Sequence, residues 1–185
     1  MSSKTYICIL ITLISCTNKN GEMTEIKNNC FQILNIEKNK NPKVFFSLDP
    51  ECPLCKSYSK TINKLYEKYN NDFEFYGFFP SIVFDEKKIN DFIKKYNFKM
   101  KLIADTNHVL TNFLDAKVTP ECFLTDSNLN IIYYGLIDDW VKELGRKRTH
   151  VENNYLEKNL NLHLNNKEIR IKKTTAIGCI IQRLK

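Results

Sequence analysis

The chain has 185 residues and a mass of 21.8 kDa, with 43% hydrophobic and 12% aromatic residues. That is long enough to bury a core without staples and too apolar for a disordered chain. The formal charge of +7 comes from lysines spread through most of the sequence, which favours solubility and marks no nucleic-acid site. One local cluster, Gly145-Arg146-Lys147-Arg148, reads as a solvated loop or as a docking patch for an acidic partner or lipid head groups.

The first residues read as targeting rather than fold. A single positive charge, Lys4, precedes a near-unbroken apolar run from Tyr6 to Ile14. A run of this length suits a signal-peptide core of roughly 7–15 residues and falls short of the roughly 20 needed to span a bilayer. The ending Leu13-Ile14-Ser15-Cys16 resembles a bacterial lipobox, in which a small residue precedes the cysteine that receives lipid. Residues 1–15 are therefore expected to be a signal peptide, removed with Cys8. Cys16 becomes the lipidated N-terminus, and 16–29 a polar tether from the membrane. The expected location is the bacterial cell envelope, where thiols can be oxidised. The globular domain is assigned to 30–185.

Within that domain, Lys43 to Leu48 (KVFFSL) is an apolar run of strand formers and predicts a buried strand. Tyr58, Ile62, Leu65, Tyr66 and Tyr69 recur at helical spacing, so a helix begins close to Cys52. A second strand is predicted over 73–79, and a second helix from Ile89, Phe92, Ile93 and Tyr96. Residues 100–104 give a third strand, and Val109, Leu110, Phe113 and Leu114 a short helix. Pro120 then leads into two runs of strand formers around Asp126 to Asn130, a hairpin. A last helix is expected over Val151 to Leu164, followed by a tail that alternates at first and adds an edge strand. This order predicts an α/β fold, a central mixed sheet with helices on both faces, in one domain without internal repeats.

The stretch that carries chemistry is Cys52-Pro53-Leu54-Cys55. A closed zinc site needs four ligands. No second CxxC is present, and His108, His150 and His163 lack tight ligand spacing, so no metal is assigned. Two reduced core cysteines are the bland alternative. The redox reading explains the placement better. A cysteine at a helix N-terminus faces free backbone N–H groups and the positive end of the helix dipole, which favour thiolate. Cys55, one turn on, can then attack a mixed disulfide formed on Cys52 and release the partner. Pro53 fits a first helical turn because it has no N–H to lose.

Residues 43 to about 140 resemble the thioredoxin superfamily, in particular its exported redoxin branch of membrane-tethered thiol–disulfide reductases and alkyl hydroperoxide reductase relatives. The resemblance rests on the CPLC motif, the passage from Lys94 to Leu114, and Thr119-Pro120 followed by Glu121 to Asp126. It implies a thioredoxin-like fold in which the Thr119–Pro120 peptide is cis and Pro120 packs against the cysteine pair. The backbone before Pro120 is then left to pair with a bound substrate. The implied activity is disulfide exchange between Cys52–Cys55 and protein thiols or disulfides of the envelope, with no cofactor. Two alternatives use the same fold: a thiol peroxidase, and a copper-delivery module built on the pair and one distant histidine, although copper-binding relatives space their cysteines more widely.

The chain also departs from the family pattern. Glu51 stands where a tryptophan usually precedes the first cysteine, and its carboxylate should oppose the Cys52 thiolate while Lys56 supports it. Asp49 stands where peroxidases carry threonine or serine, which makes peroxidase activity the lesser branch. Cys122 is either core or a redox accessory. Cys179, in a tail whose ending resembles that of some redoxins, has no derivable role, although a clasp to Cys30 would join the two ends of the domain. Thr119, Glu51, Lys56, Cys122 and Cys179 are thus accessory candidates beside Cys52, Cys55 and Pro120.

Overall fold

A computed structural model describes residues 41–81 and 85–183. The signal-peptide segment, Cys16, the tether and Cys30, and with it any Cys30–Cys179 clasp, lie outside the described residues. Strand β1 (Lys43–Ser47) is buried at all five positions because it lies in the middle of a five-stranded sheet of order β3-β2-β1-β5-β6. It pairs in parallel with β2 (Glu74–Phe79), which pairs in parallel with β3 (Lys101–Ala104). On its other side lies the antiparallel hairpin of β5 (Glu121–Thr125) and β6 (Ile131–Gly135). A strand covered on both faces reads as a continuous apolar run, which is why KVFFS shows no alternation.

Successive side chains of β1 serve opposite cores. Val44 and Phe46 join the side covered by α1 (Pro53–Tyr69), α2 (Glu86–Tyr96) and α4 (Tyr155–Leu164). Phe45 joins Tyr76, Phe78 and Phe123 beneath α3 (Val109–Phe113). The mixed sheet with helices on both faces is therefore as expected. Helix α2 starts at Asp85, whose carboxylate accepts from Lys88 N at 3.0 Å, and ends at Asn97 in the left-handed region. Asp105 does the same work for α3, accepting from Leu110 N and Thr111 N. No helix among the described residues is long and apolar enough to cross a membrane.

Three features differ from expectation. The Gly145–Arg148 cluster forms part of a hairpin, β7 (Val141–Glu143) with β8 (Arg146–Lys147), rather than a plain loop. Gly145 supplies the positive φ of 84° at its turn, and Lys147 Nζ sits 4.4 Å over the Trp140 ring. Helix α4 starts at Tyr155, not Val151, because the Asp139 carboxylate takes the N–H groups of Glu152 and Asn153 into a loop.

The tail differs too. Its alternating part makes only one bridge to the sheet, Lys173 with Tyr134, fixed by Tyr134 N to Lys172 O at 3.1 Å and Thr174 N to Tyr134 O at 3.0 Å. Its strand comes later: β9 (Cys179–Ile180) pairs antiparallel with the two-residue β4 (Val118–Thr119).

Gly135 allows the tail to lie against β6. Its φ is +126°, and a β-carbon there would meet the Thr174 carbonyl oxygen at 2.2 Å. Gly135→Ala should lower stability by about 1–3 kcal/mol, the usual cost of forcing a side chain into such a backbone conformation. The denaturant midpoint should fall, and hydrogen exchange at Thr174 should speed up before exchange in β1 does.

Candidate functional site

The site is built at the C-terminal end of β1. The chain leaves the sheet at Leu48 and turns sharply. Asp49 Oδ1 accepts from Glu51 N at 2.8 Å, and Cys52 N donates to Asp49 O at 3.2 Å. This turn leaves Cys52 as the N-cap of α1, in extended backbone, with Pro53 opening the helix. Cys55, one turn into the helix, is fully buried, and its Sγ receives the Asp49 N–H at 3.4 Å.

The facing loop is held by Ser47. Its hydroxyl donates to Val118 O at 2.7 Å and accepts from Glu121 N at 2.9 Å, gripping the chain on either side of Thr119 and Pro120. Glu121, itself buried, accepts from Lys117 N at 2.9 Å, and burial raises its carboxyl above the ordinary range. Between these holds the Thr119–Pro120 peptide is cis. The Thr119 carbonyl oxygen lies 3.1 Å from Cys52 Sγ, and the Thr119 hydroxyl is buried beside it.

A third sulfur completes the site. Cys179, opposite Thr119 on β9, places its Sγ 2.7 Å from that of Cys52 and donates to it. All of the described cysteines are free thiols. Cys52 is only 2% exposed, so desolvation works against its ionisation. Hydrogen bonds win: the one from Cys55 is the largest influence, the one from Cys179 adds to it, and together they pull the Cys52 thiol down to about 4. The donors move the other way. Burial, then the hydrogen bond given to Cys52, pushes Cys55 well up, and the same two causes raise Cys179 to about 12.

The other candidates stand apart from the sulfurs. Glu51 is exposed and ion-paired with Lys88 at 2.8 Å, a contact that lowers its carboxyl, and Lys56 is exposed. Neither is among the leading influences on Cys52. Cys122 is fully buried with Sγ 3.4 Å from the carbonyls of Gly135 and Leu136, and burial pushes its thiol well up. Among the described residues no group of three or more histidine, cysteine, aspartate or glutamate side chains is placed to hold a metal ion. Sequence reasoning missed Ser47 and Glu121, and singled out Asp49 without its part in the turn; these three hold the two loops. A serine ending an apolar strand and a glutamate beginning another carry no spacing that announces them.

A CxxC pair opening a helix after the central strand of a mixed sheet, opposite a cis-proline loop, defines a thioredoxin-like protein. The sequence model of the AhpC/TSA family matches residues 17–134, and the chain belongs to that family. No curated protein matches the chain. Its fold is similar to that of an uncharacterized conserved protein from Geobacillus kaustophilus, at 18% identity and TM-score 0.68, over 80% of this chain and 79% of that one. A hypothetical protein from Sinorhizobium meliloti is also 18% identical, with TM-score 0.67 over 78% and 80% of the two chains. A putative thioredoxin from Neisseria meningitidis is 14% identical, with TM-score 0.55 over 71% and 79%.

A thiol held near 4 instead of the ordinary 9.0 is ionised at neutral pH. The stabilisation of the reduced fold that comes with it is fully present above pH 9.0 and is lost as pH falls to about 4. Ultraviolet thiolate absorbance of the reduced protein should therefore persist into the acid range and titrate near pH 4. Cys52→Ser should remove that transition.

Proposed function

We propose that the protein is a thiol–disulfide oxidoreductase of the bacterial cell envelope that exchanges a Cys52–Cys55 dithiol or disulfide with partner proteins. The observation that carries this reading is the placement of Cys52 as the N-cap of α1, facing the Thr119–Pro120 loop, with Cys55 one turn behind it in surroundings that favour the Cys52 thiolate. As reductant, the Cys52 thiolate attacks one sulfur of a partner disulfide, and the other sulfur departs as thiolate and takes up a proton. Cys55 then loses its proton and attacks Cys52 Sγ, which frees the partner and leaves the Cys52–Cys55 disulfide. Two electrons pass from the dithiol to the partner. The reverse sequence oxidises a partner dithiol.

A cleft of about 440 Å³ bordered by the turn that leads into Cys52 and by Thr119 supports a peptide substrate. Asp49, Glu51, Phe79, Lys88, Thr119 and Ile181 are among the residues that line it. A lining that mixes charged, polar and apolar side chains suits an extended segment. Anchoring through lipid on Cys16 belongs to the same reading and rests on the N-terminal sequence.

The reading is tested by equilibrating purified protein in defined dithiol and disulfide buffers, trapping thiols by alkylation and mapping peptides by mass. A two-electron couple with a Cys52–Cys55 disulfide is expected, together with loss of protein-disulfide exchange in Cys52→Ser. A protein that never joins Cys52 to Cys55 would sink it. The AhpC/TSA match favours a second reading, thiol peroxidase, which requires rapid oxidation of Cys52 by stoichiometric peroxide. For the anchor, Cys16→Ala should accumulate as unprocessed precursor and stay out of the detergent phase; normal processing and partitioning would refute lipidation.

A further inference from the structure

The tail is a strap over the mouth of the site. It leaves β6 at Lys172–Thr174, where Leu136 N and the Tyr133 hydroxyl both meet Thr174 Oγ1, at 2.8 and 2.9 Å. Gly178 then crosses Thr119 so closely that a β-carbon would fall 2.3 Å from the Thr119 carbonyl oxygen. Cys179 pairs with Thr119, and Ile180 with Val118. Beyond them Ile181 N donates to Lys117 O at 3.0 Å, the Ile181 side chain enters the core under α3, and Arg183 donates to Ala116 O at 2.7 Å. Cys179 is thus positioned from both sides.

An added strand on an exposed sheet edge is a common way to bind an extended peptide: backbone hydrogen bonds hold it and alternate side chains are read. Strand β9 is such a peptide supplied by the chain itself, and the side chain it presents to Cys52 is a thiol. Rested on the thiol–disulfide reading, a deeper assignment follows. We propose that Cys179 is a catalytic thiol, the tethered exchange partner of Cys52, so that Cys52 passes between a disulfide with Cys55 and a disulfide with Cys179.

The step conserves electrons. With Cys52–Cys55 oxidised, Cys179 gives up its proton and attacks Cys52 Sγ; the Cys52–Cys179 bond forms, the Cys52–Cys55 bond breaks, and Cys55 leaves as thiolate and is protonated. When Cys52 instead carries a partner's sulfur in a mixed disulfide, the same attack by Cys179 releases the partner thiol. The oxidant in that case is the partner disulfide.

Two observations favour the step. The sulfurs are already 2.7 Å apart, against about 2.05 Å in a disulfide. Two of the causes that hold the Cys179 proton, its hydrogen bond to Cys52 and the charge there, vanish once Cys52 is in a disulfide. The transfer also moves the disulfide outward, from a pair containing fully buried Cys55 to one on a partly exposed strand whose next residue, Ile180, is 84% exposed.

The test uses reduced, purified Cys55→Ser, given equimolar oxidised glutathione, quenched in acid and mapped by mass. Cys52–Cys179 should be the main product, with little glutathione on Cys52. Adding Cys179→Ser should raise the glutathione adduct at least about tenfold, because the attacking thiol is gone. Adding Gly178→Ala instead should cut the Cys52–Cys179 yield although both reacting thiols remain.

If Cys55→Ser keeps glutathione on Cys52 as fully as the double variant does, the proposal is overturned. Wild-type protein quenched during oxidation reads the same linkage without a substitution, and absence of the Cys52–Cys179 peptide there and in Cys55→Ser overturns it equally. Wild type that forms Cys52–Cys55 while Cys179 stays free would leave the exchange reading standing and remove only Cys179. Wild type with no disulfide at Cys52 would remove both.

Discussion

The grip of one hydroxyl organises this end of the molecule. Ser47 ends the central strand and ties its own chain to the two sides of the Thr119–Pro120 turn, giving a hydrogen to one and taking one from the other. Because β1 is buried on both faces, the tie transmits the rigidity of the sheet to a loop that has only a two-residue strand of its own. The Thr119 backbone carbonyl is thereby set beside Cys52, and the same residue's strand edge is set where β9 can pair. A Ser47→Ala chain would leave a buried N–H at Glu121 without an acceptor, at about 1–3 kcal/mol.

One negative charge shared among three sulfurs follows from that placement. Helix α1 contributes its N-terminus, but the larger part comes from two thiols pointed at a third. The arrangement is self-consistent only with Cys52 ionised and Cys55 and Cys179 protonated, since each donor is held by the charge it supports. Under the proposed exchange, attack and resolution would then have distinct owners before any substrate arrives.

Much of the scaffold was legible because it obeys strong periodicities. Helix α1 was visible in Tyr58, Ile62, Leu65 and Tyr69, all now buried, and β1 and β2 in unbroken apolar runs. The cysteine pair was legible because its chemistry needs a strand before it and a helix after it. Strands of two residues, such as β4 and β9, have no period to read, and their pairing spans the sequence from Thr119 to Cys179. The start of α4 was misjudged because a distant carboxylate, Asp139, captures the backbone there. Gly178 was silent for a similar reason. Its lack of a side chain matters only to a carbonyl about sixty residues earlier in the chain.

The pairing of β9 on β4 also sets the terms of competition at the site. A strand attached through a short span of its own chain is present at an effective concentration on the order of millimolar, which no free peptide in dilute solution matches. With Cys52 only 2% exposed, an outside segment approaching it in the proposed exchange would first have to displace a rival that never diffuses away. A weak peptide alone loses that contest. A partner gripping the neighbouring cleft as well gains a tether of its own, and the two strands then compete on equal footing. If the proposed exchange holds, selectivity would come from bivalence rather than from the fit of one segment, and the tail would be the element that imposes it.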